Sequence, residues 1–64
     1  MQNRIKDLRE DRDMRQKDLA DATGIDQRTI SNYETGKTLP DAYALIKLAD
    51  YFGVSIDYLV GLQD

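Results

Sequence analysis

Gln27, Arg28, Ser31 and Asn32 are the side chains best suited to chemistry in this chain, and that chemistry is hydrogen-bonded recognition rather than bond making. On a helix that starts at Gln27 they share one side, whereas Ile30 and Tyr33, three residues apart, point the other way. The outward face carries no aliphatic side chain, and every member can hydrogen-bond. A catalytic reading lacks parts. There is no histidine and no cysteine, which removes the commonest general base and metal ligand and any disulfide framework. No nucleophile and base pair, phosphate-cradling glycine loop or close carboxylate couple is set up by the spacing. The chain reads as a non-enzyme that needs no cofactor and no metal.

The elements that must position this face can be read from Gln16 to Gly36, QKDLADATGIDQRTISNYETG. Leu19, Ala20 and Thr23 give a narrow inward stripe on a helix of about two turns. Gly24 takes a positive φ without steric cost, so it ends that helix and turns the chain. Ile25 points inward, and Asp26 is placed to accept from the free N–H groups of the next helix as its N-cap. Ala20 falls where two helices joined by a short, steep turn approach closely, and a larger residue there is expected to splay them. A helix pair of this kind is how a small domain presents a helix to DNA.

The remaining segments predict an all-α, compact five-helix bundle with helices at about 3–12, 16–23, 27–35, 42–52 and 56–60. Ile5 and Leu8 face inward on the first, and Asp13 sits in the turn before Met14. Pro40 biases Leu39 away from helix, and Asp41 caps a helix whose Leu45, Leu48, Ala49 and Phe52 recur at i, i+3, i+4 and i+7. Gly53 stops it, Val54 enters the core, and Ser55 caps a last short helix ended by Gly61. Residues 1–64 read as one domain without repeat, linker or low-complexity stretch. Tyr33, Tyr43, Tyr51, Phe52 and Tyr58 follow helical spacing and read as packing groups. Lys6, Arg9, Arg12 and Arg15 alternate with Asp7, Glu10, Asp11 and Asp13, which reads as an ion-paired, solvated face rather than a metal site.

Sixty-four residues lie near the lower limit for a single core, so dimerisation would help. No apolar run approaches a membrane span and the N-terminus is charged, so a soluble, cytoplasmic protein is expected. The net charge of -3, from 9 basic and 12 acidic residues, gives no global attraction to a polyanion. The excess is local: eight of the nine basic residues and eight acids lie in residues 1–37, whereas 38–64 holds Lys47 against Asp41, Asp50, Asp57 and Asp64. DNA binding is therefore expected to be modest and strongly salt-dependent.

The chain resembles the Cro and cI repressor type of helix-turn-helix domain, also called the xenobiotic-response-element family, over essentially its whole length. The residues that carry the likeness are RIKDLRE at 4–10, Gln16 with Leu19 and Ala20, the Gly24 and Ile25 turn, TISNYETGK at 29–37, Pro40, and LIKLADYFGVSIDYL at 45–59. The resemblance implies a motif at 16–35 whose recognition helix, 27–35, enters the major groove of a palindromic operator in double-stranded DNA, bound as a dimer, usually to repress transcription. By the same resemblance Gln27, Arg28, Thr29 and Asn32 match base-reading positions. Their chemistry agrees: glutamine or asparagine can grip adenine N6 and N7, arginine can grip guanine O6 and N7, and Thr29 can meet a thymine methyl. Gln16, Ser31, Tyr33, Thr35 and Lys37 match phosphate-contacting or positioning sites, and the Gly36 turn is expected to expose backbone N–H groups to phosphate. Arg9 and Glu34 match a structural ion pair that locks the first helix to the third.

Two positions depart from the family pattern. Asp13 and Arg15 stand where glycine and a capping serine or threonine are frequent, so the helix from Gln16 is expected to fray or to start differently. TLPDA at 38–42 has no basic side chain, so no minor-groove arm is expected. A weak homodimer is expected through the last helix and tail, around Ile56, Val60 and Leu62, with recognition helices about 34 Å apart. The competing class is a protein-interaction module, antitoxin or anti-repressor-like, whose acidic C-terminal half meets a regulatory partner around Tyr58 and Leu62.

Overall fold

The computed structural model describes residues 3–62. Five helices follow one another, with no strand among the described residues: α1 Ile5–Asp11, α2 Gln16–Thr23, α3 Gln27–Thr35, α4 Ala42–Phe52 and α5 Ile56–Leu59. For α2, α3 and α4 the bounds coincide with the sequence reading, and for α3 and α4 local chemistry writes both ends. Asp26 accepts from the Arg28 N–H at 2.8 Å and Asp41 from the Ala44 N–H at 2.8 Å, each satisfying a donor that a helix start leaves open. Gly24 closes α2 at φ 75°, its N–H on the Ala20 carbonyl.

The first and last helices are shorter than expected. At the start of α1, Arg4 has φ -103° and ψ 16°, outside the helix, and the Asn3 Oδ1 accepts the Ile5 N–H at 3.0 Å. At its end Arg12 is already the cap, and Asp13 turns the chain at φ 55°, a conformation aspartate tolerates better than most residues. α5 stops at Leu59, with Val60 as its cap.

Ile5, Leu19, Ile30, Leu48 and Leu59 are fully buried, one from each helix. Every helix is thereby nailed to a common centre, so the bundle holds α3 by packing and not by its propensity alone. Tyr33, Ala44, Ala49 and Phe52 complete the core, with Leu8, Met14, Ala20, Ile25, Leu45, Tyr51 and Val54 packed around it. Thr23, read as part of the inward stripe, is buried with its hydroxyl donating to the Leu19 carbonyl at 2.8 Å and accepting the Ile25 N–H at 3.3 Å. Arg12 is exposed, as the solvated face requires, but turns toward α4 in place of an ion pair among the described residues. Its guanidinium lies over the rings of Tyr51 and Phe52, at 5.3 and 5.2 Å, and donates to the Phe52 carbonyl at 3.2 Å. A cation there complements the negative end of α4.

Candidate nucleic-acid interface

α2 and α3 pack more extensively on each other than does any other helix pair. Ala20 lies at the margin of the core, as the close crossing requires. Ile30 and Tyr33 sink into the core, which turns the opposite side of α3 outward. On it Gln27 and Arg28 are exposed, while Thr29, Ser31 and Asn32 are half-buried. Among the described residues none of these five side chains is engaged in a hydrogen bond or ion pair. Thr35 and Lys37 follow, both exposed; the Thr35 hydroxyl turns back to the Asn32 carbonyl at 3.3 Å, and Lys37 has no partner among the described residues.

Behind this face lies a charged clasp. The Arg9 Nε donates to Glu34 Oε2 at 2.8 Å and its Nη2 to Oε1 at 3.0 Å, while Nη1 reaches the Met14 carbonyl at 2.7 Å. Gln16 Nε2 also donates to Glu34 Oε1, at 3.1 Å. One carboxylate thus ties α1, α2 and α3 together, with the Arg9 side chain 11% and that of Glu34 4% exposed. The hydrogen bond from Arg9 to Glu34 raises the Arg9 pKa further, against the opposing effect of burial, so the guanidinium stays charged. Gln16 keeps its amide oxygen and a second N–H for an outside group, so its bond to Glu34 is compatible with a bridge to phosphate.

Two expectations at the edges of the site need correction, and a third is narrowed. The N–H groups of the Gly36 turn are not offered to solvent. Those of Lys37 and Thr38 bond the Asn32 carbonyl at 2.9 and 3.3 Å, and that of Gly36 bonds the Tyr33 carbonyl at 3.3 Å, closing α3. Tyr33 is the core residue its inward spacing predicts, 8% exposed, which leaves at most its hydroxyl edge for the phosphate role the resemblance implies. The start of α2 is not left open either. Asp18 reaches back, its Oδ2 accepting the Arg15 N–H at 2.9 Å and its two oxygens the Arg15 guanidinium at 3.2 Å each. The Arg15 side chain and then its backbone hydrogen bond hold the Asp18 carboxyl below its ordinary pKa. This is half of a capping box, with the acceptor at the third helical residue and none at the cap. The signal was present three residues downstream of Arg15.

Asn3 escaped the sequence reading as a contributor to the site. Besides receiving the Ile5 N–H, it donates from Nδ2 to the Tyr33 carbonyl at 3.0 Å, in the last turn of α3. An asparagine two residues before a buried isoleucine signals a helix start, but nothing local signals a reach of thirty residues.

The chain matches the helix-turn-helix family over residues 5–59. It is similar to the HTH-type transcriptional regulator ImmR of Bacillus subtilis (strain 168), at 38% identity over 61 residues, covering 95% of this chain and 48% of ImmR. It is similar also to the cryptic phage CTXphi transcriptional repressor RstR of Vibrio cholerae, at 38% identity, covering 91% of this chain and 52% of RstR. An uncharacterized HTH-type transcriptional regulator of Methanocaldococcus jannaschii is 34% identical, covering 100% of this chain and 97% of its own. The chain spans about half the length of ImmR and RstR. The crystal structure of a transcriptional regulator from Listeria innocua superposes with a TM-score of 0.82 at 32% identity, covering 100% of this chain and 64% of that one. With the motif helices, the turn and the flanking bundle all matched, the chain belongs to the Cro/cI-type helix-turn-helix family.

Proposed function

We propose that this chain is a sequence-specific, double-stranded-DNA-binding transcriptional regulator that lays α3 in the major groove and represses from a palindromic operator as a dimer. The observation that carries the reading is the state of α3: one face is locked by core and clasp, and the other presents Gln27, Arg28, Thr29, Ser31 and Asn32 with no partner among the described residues. A rigid helix with unengaged donors and acceptors loses little order when it meets base edges. Gln27, Arg28, Thr29 and Asn32 read bases; Gln16, Ser31, Thr35, Lys37 and the Tyr33 hydroxyl edge serve phosphates. The names of ImmR and RstR support the regulatory role. No helix among the described residues is long and apolar enough to cross a membrane.

For the dimer, Ile56 at 40% and Leu62 at 75% exposure remain open for a second copy. Val60 leaves the expected contact set, because it is 6% exposed and belongs to the chain's own interior. The second reading, a protein-interaction module, is favoured by Leu39, Tyr43 and Ile46, all more than half exposed on the acidic C-terminal half. Tyr58 serves it less well, since its ring lies under the Arg4 guanidinium at 4.1 Å.

Selection from a random duplex pool separates the two. A palindromic winner is expected, with half-sites about one helical turn apart. Sedimentation with the winner should give two chains per duplex. No enrichment, or a single chain on a half-site, contradicts the dimeric operator reading.

A further inference from the structure

We infer that Asn3 is a positioning residue for the recognition helix, a role that rests on the DNA-binding reading above. Its side chain joins two groups of opposite polarity: Oδ1 accepts the Ile5 N–H at 3.0 Å and Nδ2 donates to the Tyr33 carbonyl at 3.0 Å. A backbone N–H can only donate and a carbonyl can only accept, so a single orientation of the amide satisfies both. A carboxylate would keep the first bond and repel the carbonyl; a hydroxyl would keep the first and fall short of the second. Only a side chain with a donor and an acceptor this far apart spans the start of α1 and the end of α3.

The place of contact matters. Tyr33 supplies a core ring one residue before Glu34, and its carbonyl also takes the Gly36 N–H at 3.3 Å. Arg9 and Gln16 hold the Glu34 side chain from one side, and Asn3 holds the backbone beside it. Two points fix a helix end against rotation where one would leave a swivel. The next residue anchors the far side: the Arg4 N–H bonds the Leu59 carbonyl at 2.8 Å, and its Nη1 bonds the Tyr58 carbonyl at 2.9 Å. Asn3 and Arg4 therefore form a joint between α3 and α5. It sets the angle at which Gln27, Arg28 and Asn32 approach a base pair, while touching no base itself.

The test compares Asn3→Ser, which keeps an acceptor for α1, with Asn3→Ala, which removes both bonds. Urea denaturation reads the α1 cap, titration of the selected duplex against a scrambled one reads positioning, and the Gly36 amide resonance reports the shared Tyr33 carbonyl. Asn3→Ser is expected to keep the α1 cap and so lose less stability than Asn3→Ala, to lose about fivefold in affinity for the selected duplex because α3 must be re-aligned on binding, and to shift the Gly36 resonance. Asn3→Ala is expected to match it in affinity while falling below it in stability. If serine restores affinity and the Gly36 resonance along with stability, Asn3 is only a cap and the inference fails. A wild-type chain that selects no duplex overturns the DNA reading and this role with it, and that outcome is distinct from a binding wild type whose Asn3→Ser variant binds equally well.

Discussion

Among single residues, the clasp carboxylate has the clearest consequence for stability. Glu34→Ala leaves the Arg9 guanidinium, 11% exposed, with only the Met14 carbonyl, and an uncompensated charge at that depth costs about 3–5 kcal/mol. Replacing both partners, as Arg9→Met with Glu34→Leu, should cost less than the single change, because no charge is then stranded. Urea denaturation decides it; a loss under about 1 kcal/mol for Glu34→Ala would show that the guanidinium reaches water easily. Tyr33 makes a second, pH-dependent claim. Burial, and secondarily the Asp41 charge, raises its pKa above the ordinary 10.0. The unfolded tyrosine ionises first, so this contribution is intact below about pH 10 and is lost as pH rises through the higher folded value. Between about pH 8 and pH 11 the wild type should lose more stability than Tyr33→Phe, and equal slopes would contradict the claim. The Arg9 and Glu34 pairing was legible through family resemblance. The Asn3 bridge was not, because its second partner lies thirty residues away and depends on how α1 docks.

At the scale of elements, the motif turn is the part whose geometry leaves least freedom. Gly24 sits at φ 75°, and a Cβ there would meet only the Lys47 ammonium at 3.4 Å, the mobile end of a flexible side chain. Gly24→Ala should therefore lose about 1–2 kcal/mol through backbone strain, with little from crowding. Adding Lys47→Ala should not recover that loss; recovery would assign it to crowding instead. α2, α3 and α4 were legible to the residue because caps and stops are written locally, in Asp26, Asp41, Gly24 and Gly53. Two features of the same elements were misread because a backbone group has more than one possible customer. The Gly36 turn was expected to expose N–H groups to phosphate, but the unsatisfied carbonyls of α3 claim them first. Arg15 looked like a missing cap, but Asp18 supplies the acceptor from inside the helix.

The whole molecule is small, and its proposed function depends on how rigidly one helix is held. One wholly buried side chain per helix makes the core cooperative but thin, so loss of any one should loosen α3 as well as its own helix. The net charge of -3 leaves phosphate contacts to a few local cations, with Arg28 and Lys37 exposed on the α3 side and Lys47 the single base in residues 38–64. The fold class and the outward face of α3 were legible from hydrophobic spacing. Which apolar residues stay outside was not: Val60 is buried and Leu39, Tyr43 and Ile46 are open, a division that depends on how α4 and α5 lie in the bundle. The central claim is that α3 reads base edges, and the most direct measurement is the affinity ratio between the selected duplex and a scrambled one, at two salt concentrations, for the wild type and Arg28→Ala. The expected result is salt-weakened binding by both proteins, with the wild-type ratio reduced about tenfold or more in Arg28→Ala while its fold is retained. An unchanged ratio in folded Arg28→Ala would contradict the assignment of the reading face.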